Sequence, residues 1–318
     1  MSRSFPLPLL LGLMMLTSCW SAPKKEDKTA DRAAASEDLS FAASENLPVI
    51  DVHTHTRFSG KPERTSGIVQ TKEQFLREMK ESGVVGAVVH TSDNGRTGYN
   101  EDMKEHHVVH CLGVEEKVDA ARLDQALRSK KYSCLKIYLG YVHRYANDKA
   151  YHPVYRLARK HDVPVVFHTG DTYSSRGKLK YSDPLTIDEV AVDFPQVTFV
   201  IAHLGNPWIQ SATEVAYKNP NVYVEASALL IGDLKKINAA GLERYLIEPV
   251  RWAFGYMEDP TKLMYGTDWP LTGMKDYLEA YKRAIPREHW CDVFFNNAVR
   301  VFKMKDLAKQ HECRVSAR

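Results

Sequence analysis

The chain has 318 residues, of which 44% are hydrophobic, and a formal net charge of +3. The apolar share is ample for a large core and excludes a disordered chain. The charge is spread without a basic block, which argues against nucleic acid as a partner.

Met1 to Ser18 reads as an export signal, with Arg3 as the positive n-region and Leu7 to Leu16 as an apolar stretch of about ten residues. A bilayer span needs roughly twenty. Leu16-Thr17-Ser18-Cys19 resembles the lipobox of bacterial lipoproteins. That resemblance implies lipidation of Cys19 and anchoring in the bacterial cell envelope. No Asp follows Cys19, which by the same resemblance favours the outer membrane, facing the periplasm. Residues 19–46 are rich in Ala, Ser, Lys, Glu and Asp and read as a flexible tether. Residues 47–318 have the size of one barrel domain. The remaining cysteines, Cys111, Cys134, Cys291 and Cys313, form no Cys-x-x-Cys pair and are expected to be buried free thiols.

In chain order, a strand over Val49 to His55 precedes a helix over Thr71 to Ser82, capped by Thr71 and ended by Gly83. Strands follow at Val84 to His90 and His107 to Val114, then a helix over Val118 to Ser129. A fourth strand, Cys134 to Leu139, leads to a helix over Pro153 to His161. The fifth strand ends at His168, and a helix near Ile187 to Phe194 leads to the sixth, ending at His203. A helix over Pro207 to Lys218, a strand over Asn221 to Ala226 and a helix around Leu242 to Met257 precede the eighth strand, ending at Asp268. His289 to Met304 carries Phe294, Phe295, Val299 and Phe302 at helical spacing, as a closing helix. Eight strands interleaved with helices predict a single-domain α/β fold, the (β/α)₈ TIM barrel. An open doubly wound sheet would carry a Gly-rich phosphate turn after the first strand, and His53-Thr54-His55 stands there instead.

Four of these strand-like runs close on a metal-ligating type: the His53/His55 pair, His168, His203 and Asp268. His53 and His55 are two apart on a strand, so both leave one face and can reach one ion. Barrel enzymes place their chemistry at that C-terminal end.

These motifs make the chain similar to the amidohydrolase superfamily, in the amidohydrolase-related branch that contains aminocarboxymuconate-semialdehyde decarboxylase and related hydrolases. The carrying segments are Asp51-Val52-His53-Thr54-His55, Phe167-His168-Thr169-Gly170, Ala202-His203-Leu204-Gly205, Gly266-Thr267-Asp268-Trp269-Pro270 and Asn296-Asn297-Ala298. The resemblance implies one divalent metal, most often zinc, held by His53, His55, His168 and Asp268. His203 would stand beside it and stabilise developing negative charge. Asp268 would also move the proton of the attacking water, and Asp51 would support the strand end by hydrogen bonding.

Alternation on the fourth strand turns Lys136 and Tyr138 to one face and Leu135 and Ile137 to the helices. Lys136 is therefore an interior lysine, either paired with a carboxylate such as Glu225 or an additional ligand of a two-metal site. Substrate contacts are expected from Arg57 and Arg176 on loops that follow strands, with Tyr138, Tyr141 and Trp269 as an apolar wall. His90, closing the second strand, is placed to line the pocket.

The expected activity is metal-dependent hydrolysis of a small-molecule amide, ester or lactone. Non-oxidative decarboxylation of a small carboxylic acid would use the same ligands. A non-catalytic binding lipoprotein would predict missing ligands, and every ligand position is filled. Pairing into a homodimer through helices is a further expectation.

Overall fold

The structure, a computed structural model, describes residues 46–92 and 95–315. The export signal, Cys19 and the tether up to residue 45 lie outside the described residues. No described helix is long and apolar enough to cross a membrane.

The strands are β1 (Val49–Thr54), β2 (Val84–His90), β3 (Val108–Val114), β4 (Cys134–Tyr138), β5 (Val165–His168), β6 (Phe199–Ile201), β7 (Val222–Glu225) and β8 (Leu263–Met264). The helices between and after them are α1 (Lys72–Glu81), α2 (Ala120–Arg128), α3 (His152–His161), α4 (Thr186–Asp193), α5 (Ile209–Lys218), α6 (Ala239–Leu242), α7 (Glu248–Met257), α8 (Met274–Lys282), α9 (Asn297–Phe302) and α10 (Lys305–Gln310). All strand pairs are parallel, in sequential order from β1 to β8. The last segment meets the first: Tyr265 O accepts from Val52 N at 3.0 Å, and Asp268 N donates to His53 O at 2.8 Å. The result is a TIM barrel, as the alternation of strand and helix predicts.

Local chemistry sets the boundaries. Thr71 Oγ1 accepts from Gln74 N and Asp119 from Arg122 N, capping α1 and α2. Strand alternation sorts two apolar layers. Val89, Leu112, Leu135, Ile137, Phe167 and Phe199 pack outward under the helices. Ile50, Val52, Val88, Val166, Val200 and Met264 fill the interior, joined by Phe295, Ala298 and Phe302 of the closing segment. Leu135 and Ile137 thus face the helices, as predicted.

Three expectations need correction. The cysteines are not free: Cys111 pairs with Cys134 across the β3–β4 register, and Cys291 with Cys313. Spacing in sequence carries no trace of either pairing, because strand register and the packing of the C-terminal tail create them. The sixth strand stops at Ile201, and His203 (φ 58°) and Leu204 (φ 47°) turn in the left-handed region. The eighth strand likewise stops at Met264, and Asp268 follows at φ 66°. Both side chains reach the barrel end on turned backbone rather than on the strands themselves.

Candidate functional site

The C-terminal ends of β1, β5, β6, β7 and β8 bring His53, His55, His168, His203, Glu225 and Asp268 together. His53 is fully buried, and its Nδ1 lies 2.6 Å from Glu225 Oε1. That carboxylate also accepts His203 N at 3.1 Å on Oε1 and Ser227 N at 2.7 Å on Oε2. Receiving two backbone N–H groups marks Glu225 as an acceptor, so His53 carries its proton on Nδ1 and presents a lone pair on Nε2. Nε2 lies 3.8 Å from Asp268 Oδ1 and has no hydrogen-bond partner.

His55 repeats the pattern. Its Nδ1 donates to His90 O at 3.0 Å, which leaves Nε2 3.2 Å from Asp268 Oδ1. That contact is close, yet Oδ1 has no aligned hydrogen-bond donor. His168 is turned the other way, with Nε2 donating to Asp171 O at 2.9 Å and Nδ1 3.1 Å from His203 Nε2. His203 Nδ1 lies 2.9 Å from Ser227 Oγ. Ligand atoms of His53, His203 and Asp268 all lie within 4.8 Å of one another, a group that could hold a metal ion.

Burial pushes the imidazoles of His53 and His168 well below the ordinary histidine value, and His203 to about 4. They are neutral donors of electron pairs at pH 7. Burial also opposes the Asp268 charge, but His55, His203 and Lys136 overcome it and bring the carboxyl down to about 2. Burial raises Asp51 to about 7, against hydrogen bonds from Thr267 Oγ1 at 2.5 Å, His53 N and Thr267 N. Asp51 ties β1 to the Asp268 turn, the supporting role expected of it.

Lys136 is fully buried, and its Nζ has no hydrogen-bond partner. The expected pairing with Glu225 is not formed, because His53 and two backbone N–H groups occupy that carboxylate. Burial lowers the Lys136 pKa, partly offset by the fields of Glu225 and Asp268. Tyr138 is half-buried and donates from its hydroxyl to Thr91 O at 2.8 Å, while the Tyr141 ring stands 4.8 Å from that of His168. Trp269 corrects the predicted substrate wall: it is fully buried against Phe75, and its indole N–H donates to Glu78 at 3.2 Å. Core packing claims that ring. Arg57 is exposed beside a cleft of about 590 Å³ shared with Phe58 and Lys61. Arg176 is exposed too, its carbonyl bound by His143. Neither guanidinium is drawn to the histidine group among the described contacts.

Two further contributors carry the same strand-end signal: His90, already placed at the pocket, and Glu225, whose bond to His53 the sequence does not announce. Val222–Glu225 is itself an apolar run closing on an ionisable side chain, as is Val84–His90. The His90 ring lies 4.1 Å from that of His53, with Nε2 donating to Val52 O at 3.1 Å.

The amidohydrolase family profile matches residues 50–304, nearly the whole described barrel. The chain is a member of the amidohydrolase family. No curated protein gives a significant match. Among solved structures, an uncharacterised TIM-barrel protein of Bordetella bronchiseptica is 19% identical, with a TM-score of 0.61 over 82% of this chain and 100% of its own. A probable 2-pyrone-4,6-dicarboxylic acid hydrolase of Acinetobacter baumannii is 16% identical, with a TM-score of 0.59 over 81% and 100%. The 5-carboxyvanillate decarboxylase of Sphingomonas paucimobilis is 12% identical, with a TM-score of 0.57 over 81% and 99%. At these identities the likeness establishes the fold. These neighbours include a hydrolase and a decarboxylase, and membership of the amidohydrolase family supports an enzyme here.

Proposed function

We propose that this family member is a metal-dependent hydrolase acting on a small amide, ester or lactone. One observation carries the reading. His53 Nε2 and His55 Nε2 face Asp268 Oδ1 at 3.8 and 3.2 Å, and neither His53 Nε2 nor Oδ1 has an aligned hydrogen-bond partner. Each ring has its other nitrogen fixed by an oxygen acceptor, the outer arrangement expected of metal ligands. A cation suits such a donor set, and N/O donors in this mixture suit zinc. His53, His55, His168 and Asp268 would hold one divalent ion, with His203 beside it. When bound, the ion would supply Lewis acidity and make water a stronger acid.

The chain's own groups do the rest. Asp268, held ionised by its neighbours, accepts the proton of the attacking water on its carboxylate and returns it to the leaving group. His203, fixed through Ser227, stabilises the negative charge that develops on the substrate oxygen. Lys136 offers a buried ammonium with no hydrogen-bond partner, 5.5 Å from the Tyr138 ring centre, which favours a substrate carrying an acidic group. That same feature supports a second reading, non-oxidative decarboxylation of a small carboxylic acid. Names of structural relatives include a dicarboxylic acid hydrolase and a 2,6-dihydroxybenzoate decarboxylase, so acids recur in both reactions.

Export and lipid anchoring through Cys19 belong to the same proposal. Two disulfides among the described residues support it, since such bonds persist in oxidising compartments.

The test is metal content by elemental analysis of the wild type and a His53→Ala/His55→Ala variant. Lactones, esters, amides and aromatic acids are then screened with acid and CO₂ release read separately. About one equivalent of zinc, lost in the variant, supports the ligand set. Two equivalents would bring Lys136 onto the metals. CO₂ release without hydrolysis would select the second reading, and no metal with no turnover would overturn both.

A further inference from the structure

The end of the barrel opposite the histidine group carries a second, differently charged site. A cleft of about 290 Å³ opens at the N-terminal ends of β3 and β4, beneath the α9–α10 turn. Lys104, Lys130, Lys131, Lys303 and Lys305 line it, brought together from three distant stretches of sequence. Some of that charge is answered: Lys104 bonds Glu101 at 2.9 Å, Lys303 meets Asp162, and the Lys131 ammonium lies 5.7 Å from the Tyr99 ring centre. Lys130 and Lys305 have no acidic partner among the described residues. The one carboxylate in the lining, Asp306, is bonded to Lys309 at 3.0 Å. Gathering like charges in one cleft is unfavourable unless an anion answers them.

His110 also belongs to the lining and is fully buried, its Nε2 accepting from Asn100 N at 3.3 Å and its ring 4.7 Å from that of Tyr99.

We propose that this cleft binds the phosphate group of a phosphoester. Lysines act as multi-donor point charges for phosphate, and several ammonium groups converging from separate segments suit a multiply charged tetrahedral anion better than one carboxylate. Two sources offer that chemistry, a soluble phosphoester and the headgroup of an anionic phospholipid. The lipid source enters because the proposed Cys19 anchor precedes Asn46, which bridges Arg314 at this end of the barrel before β1 begins.

The experiment uses the full chain. Calorimetry with inorganic pyrophosphate is run beside flotation with vesicles of phosphatidylcholine alone or mixed with phosphatidylglycerol. Wild type is compared with Lys130→Gln/Lys305→Gln, and with Lys235→Gln/Lys236→Gln on the loop after β7 as a charge-matched control. Both pairs are exposed, so folding is preserved and circular dichroism checks it. The Lys130/Lys305 variant is expected to bind about tenfold more weakly, with the control unchanged. Loss of pyrophosphate binding assigns a soluble phosphoester. Loss of the phosphatidylglycerol preference alone assigns a lipid headgroup. Absence of both interactions in wild type, or binding equal in both variants, overturns the proposal.

Discussion

His53 Nδ1 and Glu225 Oε1 stand 2.6 Å apart, both side chains buried, with 172 positions of sequence between them. Glu225 receives three N–H groups at once, from His53, His203 and Ser227, and so joins the β1 histidine to the turns after β6 and β7. No orientation of an amide satisfies all three, because one of its heavy atoms must be an NH₂ facing an N–H donor. Glu225→Gln is therefore expected to fold with weakened metal binding, by about 10- to 100-fold, because His53 loses its orientation. A zinc competition titration reads this directly. Unchanged affinity would show that Glu225 only packs.

How much of this centre was legible in sequence follows from where each residue sits. His53, His55 and His168 end β-strands, so an apolar run closing on a histidine announced them. Glu225 and His90 end strands with the same signature; the end of β2 already put His90 at the pocket, whereas the role of Glu225 appears only when its side chain reaches His53 across the barrel mouth. Lys136 was correctly turned inward by alternation. Its pairing could not be read, because which carboxylate reaches it depends on what else that carboxylate binds. Trp269 failed for a related reason: strand parity says nothing about a ring on turned backbone beyond the strand. The disulfides failed because Cys111 and Cys134 meet only through the β3–β4 register.

Gly170 tests how tightly the His168 loop is held. Its φ is +80°, and a Cβ there would stand 2.1 Å from Asn206 O. That carbonyl already accepts Asp171 N at 2.8 Å, so the neighbouring backbone cannot withdraw without breaking the bond. Gly170→Ala combines an unfavourable backbone conformation with a backbone collision. A loss of about 1–3 kcal/mol in urea unfolding is expected, with weaker metal retention as the His168 and Asn206 segments separate. A variant as stable as wild type would show that this loop yields easily.

The Cys291–Cys313 bond fastens the C-terminal tail to the closing segment across 22 positions. For a loop of that size, cross-linking stabilises the fold by about 3 kcal/mol through the unfolded chain. Cys291→Ser/Cys313→Ser should lose that order of stability in denaturant melts without altering zinc affinity, because neither cysteine touches the centre. Thiol titration of unfolded wild-type protein should find Cys111, Cys134, Cys291 and Cys313 all blocked until a reductant is added. Four reactive thiols would refute both bonds.

Asp124 on α2 provides a pH test outside the centre. Lys160 Nζ at 2.8 Å, His161 Nε2 at 2.6 Å and Arg128 all converge on its carboxylate, tying α2 to α3. These bonds, the Lys160 contact foremost, hold the carboxyl well below the ordinary aspartate value of 3.8. A carboxyl depressed in the folded state binds its proton more weakly there than in the unfolded chain. Its contribution is therefore complete above the unfolded value and disappears as pH falls through the folded one. Asp124→Asn should melt below wild type at pH 7, and the gap should narrow only as pH drops beneath about 4. Thermal melts of both proteins from pH 7 to pH 3 check the sign. A gap that does not change with pH would mean that the carboxylate's charge adds nothing and that its shape alone holds the two helices.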